Sequence, residues 1–360
     1  MPWGDPGITE YNQLQETLIG YPSASGGTKT QTLQRAGLLE RLRFLATATL
    51  NVSAYTSGSQ KSPYGLGGLL KRIRLNANGK IPIVDLSGLG MMVYNEIQNR
   101  DGSPLCPPAY DATAGVVAAA SLARYDAIAA TGTKVFQFPF EIQLGLSVDM
   151  QSKADELGLW LLQNQAIDVG VEANFNPLYA AVATNDALWS GGTLTAAADQ
   201  ANTSLQIERN FYGLPQDPKN YPDMRFVHQI VEYEQSFNST FCRVAIPRAG
   251  ILLRAIVINL DANGLPVEYT DVNSLSWVYG ANETPIQRPG WAIAAEYLQD
   301  YSRMAPKGVL PLDFYKWGWN GWKLAKDTET LANLRLETRF ATTSSGTQKV
   351  ILDTIVPVGK

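Results

Sequence analysis

A single histidine, His228, stands in this chain of 360 residues. That scarcity excludes multi-histidine zinc sites, and the surroundings of His228 supply no partner for a catalytic triad or a Cys/His dyad. It sits in Phe226-Val227-His228-Gln229-Ile230-Val231, a strand-like stretch, and reads as a solvated or hydrogen-bonded strand residue. Cysteine is nearly as rare. Cys106 and Cys242 are too few for a disulfide framework or a thiolate metal site, and read as buried free thiols kept in a reducing cytosol. Charge is sparse at 17%, with 29 basic against 33 acidic side chains and a net charge of −4. No basic block occurs, which argues against a surface dedicated to nucleic acid. No apolar run reaches the roughly 18–20 residues of a spanning helix. The start, Met1-Pro2-Trp3-Gly4-Asp5, lacks the charged-then-apolar layout of a signal peptide.

What the chain does contain is an internal repeat. Arg35-Ala36-Gly37-Leu38-Leu39 returns as Arg248-Ala249-Gly250-Ile251-Leu252. Ala77-Asn78-Gly79 followed by Pro82-Ile83 returns as Ala281-Asn282-Glu283 followed by Pro285-Ile286. Phe138-Pro139-Phe140-Glu141-Ile142 returns as Leu310-Pro311-Leu312-Asp313-Phe314. Val169-Gly170-Val171-Glu172, closing on Phe175, returns as Leu334-Arg335-Leu336-Glu337, closing on Phe340. The blocks keep their order and their spacing only shrinks, so the first copy carries the longer insertions. A period this long is a duplicated domain, since solenoid repeats are far shorter.

Hydrophobic content of 45% supports ordinary cores in both copies. Near the start, Ile8, Tyr11, Leu14 and Leu18 fall at helical spacing before Gly20 and Pro22, which predicts a short amphipathic helix. Residues 23–28 form a Gly/Ser-rich tether. From there the period is two, with strands expected around Leu42-Phe44, Thr47-Ser53, Leu69-Leu75 and Ile81-Leu86, the last pair broken by the turn Asn78-Gly79. Helices are expected within the Ala-rich stretch Ala109–Ala130 and at Gln151–Leu162, with a counterpart at Trp319–Thr330. Three prolines between Gly213 and Pro222 place the crossing between domains. The expected division is a helix and tether over 1–27, a first domain over 28–214, a linker over 215–224 and a second domain over 225–360.

Each half then offers about eight short strands separated by turns, the pattern of a sandwich or barrel. Proline cannot donate to a strand ladder, so Pro139 and Pro311 predict an edge strand in both copies. The Arg35–Leu39 and Leu70–Gly79 segments, with Ile246–Leu252 and Val309–Phe314, resemble the double jelly-roll major capsid proteins of tailless icosahedral viruses. Tectiviruses, corticoviruses and finnlakeviruses carry such proteins, and adenovirus hexon is a distant relative. The resemblance covers about residues 28–358. It implies an all-β chain of two tandem eight-stranded jelly rolls with short helices in inter-strand loops and the N-terminal helix ahead of them. It also implies a homotrimer with a pseudo-hexagonal outline, built into a virion shell beside other capsomers and minor or vertex proteins. The N-terminal helix would lie near the base, facing a neighbouring capsomer or an internal membrane. Ile8, Tyr11, Leu14, Leu18, Trp317 and Trp319 are the expected assembly contacts; no catalytic residue, cofactor or metal site is expected.

Other motifs carry less. Gly65-Leu66-Gly67-Gly68 lacks the Gly-Lys-Ser/Thr ending of a phosphate loop and precedes a strand. Asp261-Ala262-Asn263-Gly264 lacks the downstream acid of a calcium loop. Asn238-Ser239-Thr240 and Asn282-Glu283-Thr284 fit the glycosylation pattern but follow no secretory signal. Trp317, Trp319 and Trp322 suit packing or a trimer contact, and alternatively a sugar-stacking platform. The competing function is therefore a carbohydrate-binding or host-attachment β-sandwich of a virion. Two-domain cupins need several histidines per roll and are excluded.

Overall fold

The computed structural model describes residues 11–357 except 80, 99–108, 112–115, 119–127, 147–156, 163–167, 223, 249, 281–282, 303 and 315–325. The first half builds two sheets with four principal strands each, extended by shorter flanking strands. The principal strands are β1 (Tyr11–Gln15), β2 (Gly27–Thr32), β3 (Leu38–Tyr55), β4 (Leu70–Ala77), β5 (Ile81–Ser87), β6 (Gly132–Gln143), β7 (Val169–Phe175) and β8 (Ser204–Tyr212). One sheet runs β1-β8-β3-β6 and the other β2-β7-β4-β5. A helix, α1 (Gly88–Gln98), follows β5.

The second half repeats this connectivity strand for strand. It consists of β9 (Phe226–Phe237), β10 (Phe241–Ala245), β11 (Ile251–Asp261), β12 (Val272–Tyr279), β13 (Glu283–Arg288), β14 (Val309–Asp313), β15 (Arg335–Phe340) and β16 (Gly346–Pro357). Its sheets run β9-β16-β11-β14 and β10-β15-β12-β13, and α2 (Gly290–Tyr301) follows β13. The repeated sequence blocks land at equivalent places: the entry to β3 and β11, the connections after β4 and β12, the strands β6 and β14, and the strands β7 and β15. Pro139 and Pro311 both sit on the outermost strand of their sheet, where a missing N–H breaks no inner ladder.

The repeated Arg-Ala-Gly block has a backbone reason. Gly37 and Gly250 both adopt positive φ, +62° and +82°. A Cβ on Gly37 would lie 2.3 Å from the Tyr212 carbonyl oxygen, and one on Gly250 would lie 2.3 Å from that of Ile355. Only glycine lets the chain turn into the central strand so close to its neighbour.

Three expectations are corrected. The N-terminal stretch is strand and not helix: Tyr11 to Gln15 pair antiparallel with Tyr212 to Glu208. The helical spacing of Ile8, Tyr11, Leu14 and Leu18 is outweighed by the open edge of β8, and buried Glu16 anchors the segment by ion-pairing with buried Arg209 at 3.2 Å. The first sandwich thus begins at β1, inside the stretch read as helix and tether, and β2 already starts at Gly27. The described parts of the other expected helices are extended or turn. Trp160 and Leu161 pair with Leu39 and Leu38, Lys326 and Asp327 with Leu252 and Ile251, and residues 109–111 with 118–116. The helices that do belong to the repeat are α1 and α2. All ten residues from Gly88 to Ile97 are buried, so α1 shows no polar face for periodicity to detect.

The halves join through their sheets. Val84 and Asp85 of β5 pair in parallel with Ile230 and Val231 of β9, which makes one continuous sheet β14-β11-β16-β9-β5-β4-β7-β2. A single apolar cluster runs across this junction, from Met91, Met92 and Tyr94 of α1 to Ile230, Ile256 and Ile351. The second sandwich keeps a separate interior around Trp277, Leu275 and Leu336. Strand β11 is therefore covered on both faces and its sequence is almost continuously apolar, whereas β3 alternates between core and surface. Cys242 lies in the second interior, where burial pushes its thiol up to about 11. In a Cys106→Ser variant, Cys242 is expected to resist a disulfide reagent at pH 8 until the protein unfolds; rapid labelling of the native protein would contradict this placement.

Candidate assembly surfaces

Charged side chains inside the apolar junction need partners, because a lone buried charge is costly. His228 on β9 is fully buried, and its Nδ1–H donates to the Leu144 carbonyl of the first half at 3.0 Å. Its Nε2 faces the Asp353 carboxylate of β16. Arg254 of β11 lies 3.4 Å from Asp313 on β14 and 4.0 Å from Asp353, and the Tyr301 hydroxyl donates to Asp313. Burial pushes the Asp353 carboxyl up, but His228 and Arg254 outweigh it and hold it below the usual range. Tyr94 of α1 is raised well above the ordinary tyrosine value by burial and by the neighbouring Asp353 charge. With both ring nitrogens engaged, His228 is a structural residue that ties the second half to the first.

A second clamp sits beside it. Glu232 of β9 accepts from the Ser87 backbone N–H at 2.9 Å and the Ser87 hydroxyl at 2.7 Å, while its other oxygen meets Lys349 at 2.8 Å. A cleft of about 1110 Å³ runs along this side of the junction. The cations Arg72, Arg74 and Lys349 that line it are held by Asp85, Glu172 and Glu232.

The first half carries the same constellation at equivalent register positions. Tyr11 on β1 pairs with Tyr212 as His228 pairs with Ile355, and Asn210 faces Arg41 as Asp353 faces Arg254, each beside a bulge in the central strand. Arg41 lies 3.6 Å from Glu141, the acid two residues beyond Pro139, as Arg254 lies beside Asp313, two beyond Pro311. The Tyr11 hydroxyl donates to Glu40 at 2.9 Å and accepts from Asn210 at 2.8 Å and Arg41 at 3.2 Å. This copy is open. The side chains of Arg41 and Glu141 are 22% and 35% exposed, against 5% and 8% for Arg254 and Asp313.

Of the expected assembly contacts, Tyr11, Leu14 and Leu18 are exposed. They do not form one helical stripe: Tyr11 and Leu14 point to opposite faces of a strand. Ile8, Trp317 and Trp319 lie outside the described residues. Exposed apolar residues that the sequence reading did not single out include Leu45 and Val135 on the outer face of β3 and β6, Trp291 and Leu298 on α2, and the loop residues Val182 and Leu265. Their signal is present in the sequence only as apolar residues among polar neighbours.

No protein-family model matches the sequence, and no curated protein is similar to it. Solved structures are similar over nearly the whole chain. The crystal structure of the STIV major capsid protein matches with a TM-score of 0.66 at 14% identity, covering 97% of both chains. The major capsid protein P2 of bacteriophage PM2 matches with a TM-score of 0.54 at 12% identity, covering 98% of this chain and 99% of that one. The PBCV-1 virus capsid matches with a TM-score of 0.59 at 10% identity, covering 96% and 93%. The fold is a double jelly roll. Its first roll is β1 to β8 and its second is β9 to β16, each with two sets of four principal strands in the same order.

Proposed function

We propose that this chain is the major capsid protein of a tailless icosahedral virus, a subunit that trimerises into pseudo-hexameric capsomers and acts by assembly without catalysis. The observation that carries the reading is the doubled roll. Two units of identical connectivity are fused edge to edge, so three chains supply six similar wedges and one polypeptide can tile a nearly hexagonal net. The structural neighbours over the whole chain are shell proteins, and the commitment of His228 to a buried network supports a structural role. The chain would be made in the host cytoplasm and reside in the virion. There it would contact other capsomers and minor or vertex proteins, with an internal membrane or a further protein layer beneath.

Tyr11, Leu14 and Leu18, with Ile8, Trp317 and Trp319, are proposed contacts in that assembly. The test is light scattering with negative-stain imaging of the purified protein. The expected result is a particle of three chains with a six-lobed outline; a strictly monomeric protein would overturn the reading.

A further inference from the structure

Helix α1 shows how a roll in this molecule is covered. It follows β5, lies buried from Gly88 to Ile97, and places Tyr94 against the buried network on the second roll's β9-β16-β11-β14 sheet. The first roll thereby covers part of the outer face of that sheet, where Tyr297 and Tyr301 of α2 also pack. Helix α2 stands at the same point of the second roll, after β13, and buries only Gly290, Ile293, Ala294 and Tyr297. Trp291 is 59% exposed and Leu298 36%, and with exposed Ala295 between them they form a stripe at helical spacing. The sheet equivalent to that one is β1-β8-β3-β6, whose outer face exposes Arg43, Leu45 and Val135.

Each helix thus packs on its own roll, as Asn95 meets Glu141 and Tyr301 meets Asp313, but α1 also reaches the other roll whereas the Trp291–Leu298 face of α2 stays exposed. We propose that the Trp291–Leu298 face of α2 docks onto the outer face of β3 and β6, around Leu45 and Val135, of a second copy of this chain. The inference rests on the shell-subunit reading for the copies to associate, and it deepens that reading by naming the two surfaces. The contact would repeat between chains the cover that α1 provides within one chain. Charge adds little to it, because Glu296, which takes the place of Tyr94 counted from the glycine that opens each helix, already ion-pairs with Arg288. The surfaces differ from one another, so the contact is head-to-tail, and in the proposed trimer three such contacts close a ring. Part of Arg41 and Arg43 is already engaged by Glu141 and Glu208, so the apolar residues carry most of the contact.

Two double variants test this, each blocking one surface: Trp291→Glu with Leu298→Glu, and Leu45→Glu with Val135→Glu. All four positions are exposed, so circular dichroism should show both variants folded. Each alone is expected to run as a monomer in light scattering, with self-association weakened at least ~30-fold, the scale of losing an interface hot spot. Mixed in equal amounts they retain one intact pair of surfaces, and the expected product is a 1:1 heterodimer and nothing larger. A variant that stays trimeric, or a mixture that stays monomeric, would overturn the proposed surfaces while leaving the trimer reading intact. A wild-type protein that is itself monomeric would instead remove the shell-subunit reading.

Discussion

Replacing Arg254 by alanine is expected to lower the unfolding free energy by about 3–5 kcal/mol, the cost of leaving buried carboxylates without their cation. Arg254 stands between Asp313 and Asp353, and all three side chains are nearly inaccessible to water. Its loss strands two negative charges in the junction that holds the rolls together. The same substitution at Arg41, which occupies the equivalent register position but is partly hydrated, should cost about 1 kcal/mol or less in the isolated chain. Urea denaturation of the two variants side by side measures the difference; equal losses would show that the second-roll network is not effectively buried.

The network also sets an acid limit. Asp353 is held below the ordinary carboxylate value in the folded chain, against the opposing effect of burial. Its contribution to stability is therefore complete above the unfolded value of about 3.9 and is lost as the pH falls through the lower folded value. Asp271 follows the same sign: burial raises it, but hydrogen bonds from Thr343 and Thr342 leave it lowered. Removing Arg254 takes away a cation that helps hold Asp353 low. The acid limb of the stability curve should then begin at a higher pH in that variant, a shift readable in the same denaturation series repeated between pH 3 and 7.

Alanine at Gly250 is expected to cost about 2–4 kcal/mol, and alanine at Gly37 a similar amount. At each position the added Cβ meets a left-handed backbone and a carbonyl oxygen 2.3 Å away. Neither can be relieved by a side-chain rotation, since the obstructing atom is backbone of the adjoining strand. Thermal melts of the single variants check the size, and a loss below about 0.5 kcal/mol at either site would show that the strand entry can re-form without glycine. Matching losses at the two positions would also demonstrate by stability what the sequence block implied by resemblance.

These glycines explain why the repeat was legible at all. Gly37 and Gly250, Pro139 and Pro311, and the turn after β4 are positions where the backbone itself restricts the residue, so two diverged rolls still agree there. Elements defined by distant partners were harder to see. The strand β1 exists because residues 204–212 offer it an edge almost two hundred positions later, and its local spacing of Tyr11, Leu14 and Leu18 favoured helix. Helix α1 lacks a polar stripe because both rolls close over it. The buried network did leave a trace: Arg254 within Ile251–Leu260 and Asp353 within Val350–Val356 are single charges in apolar strands. In a strand covered on both faces such a charge requires a buried partner. Which partner, and that His228 would join it, depended on a register spanning more than a hundred residues.

The parallel pairing of β5 with β9 has a mechanical meaning. Where two domains meet only through a flexible linker, a load on one bends the linker before it reaches the other. Here backbone hydrogen bonds, the His228 and Glu232 clamps and a shared apolar cluster cross the boundary, so the connector from Gly213 to Met224 bears little of any force. The two rolls are thereby braced against each other as one block. Curvature in an assembly of such blocks must therefore be accommodated at the contacts between chains.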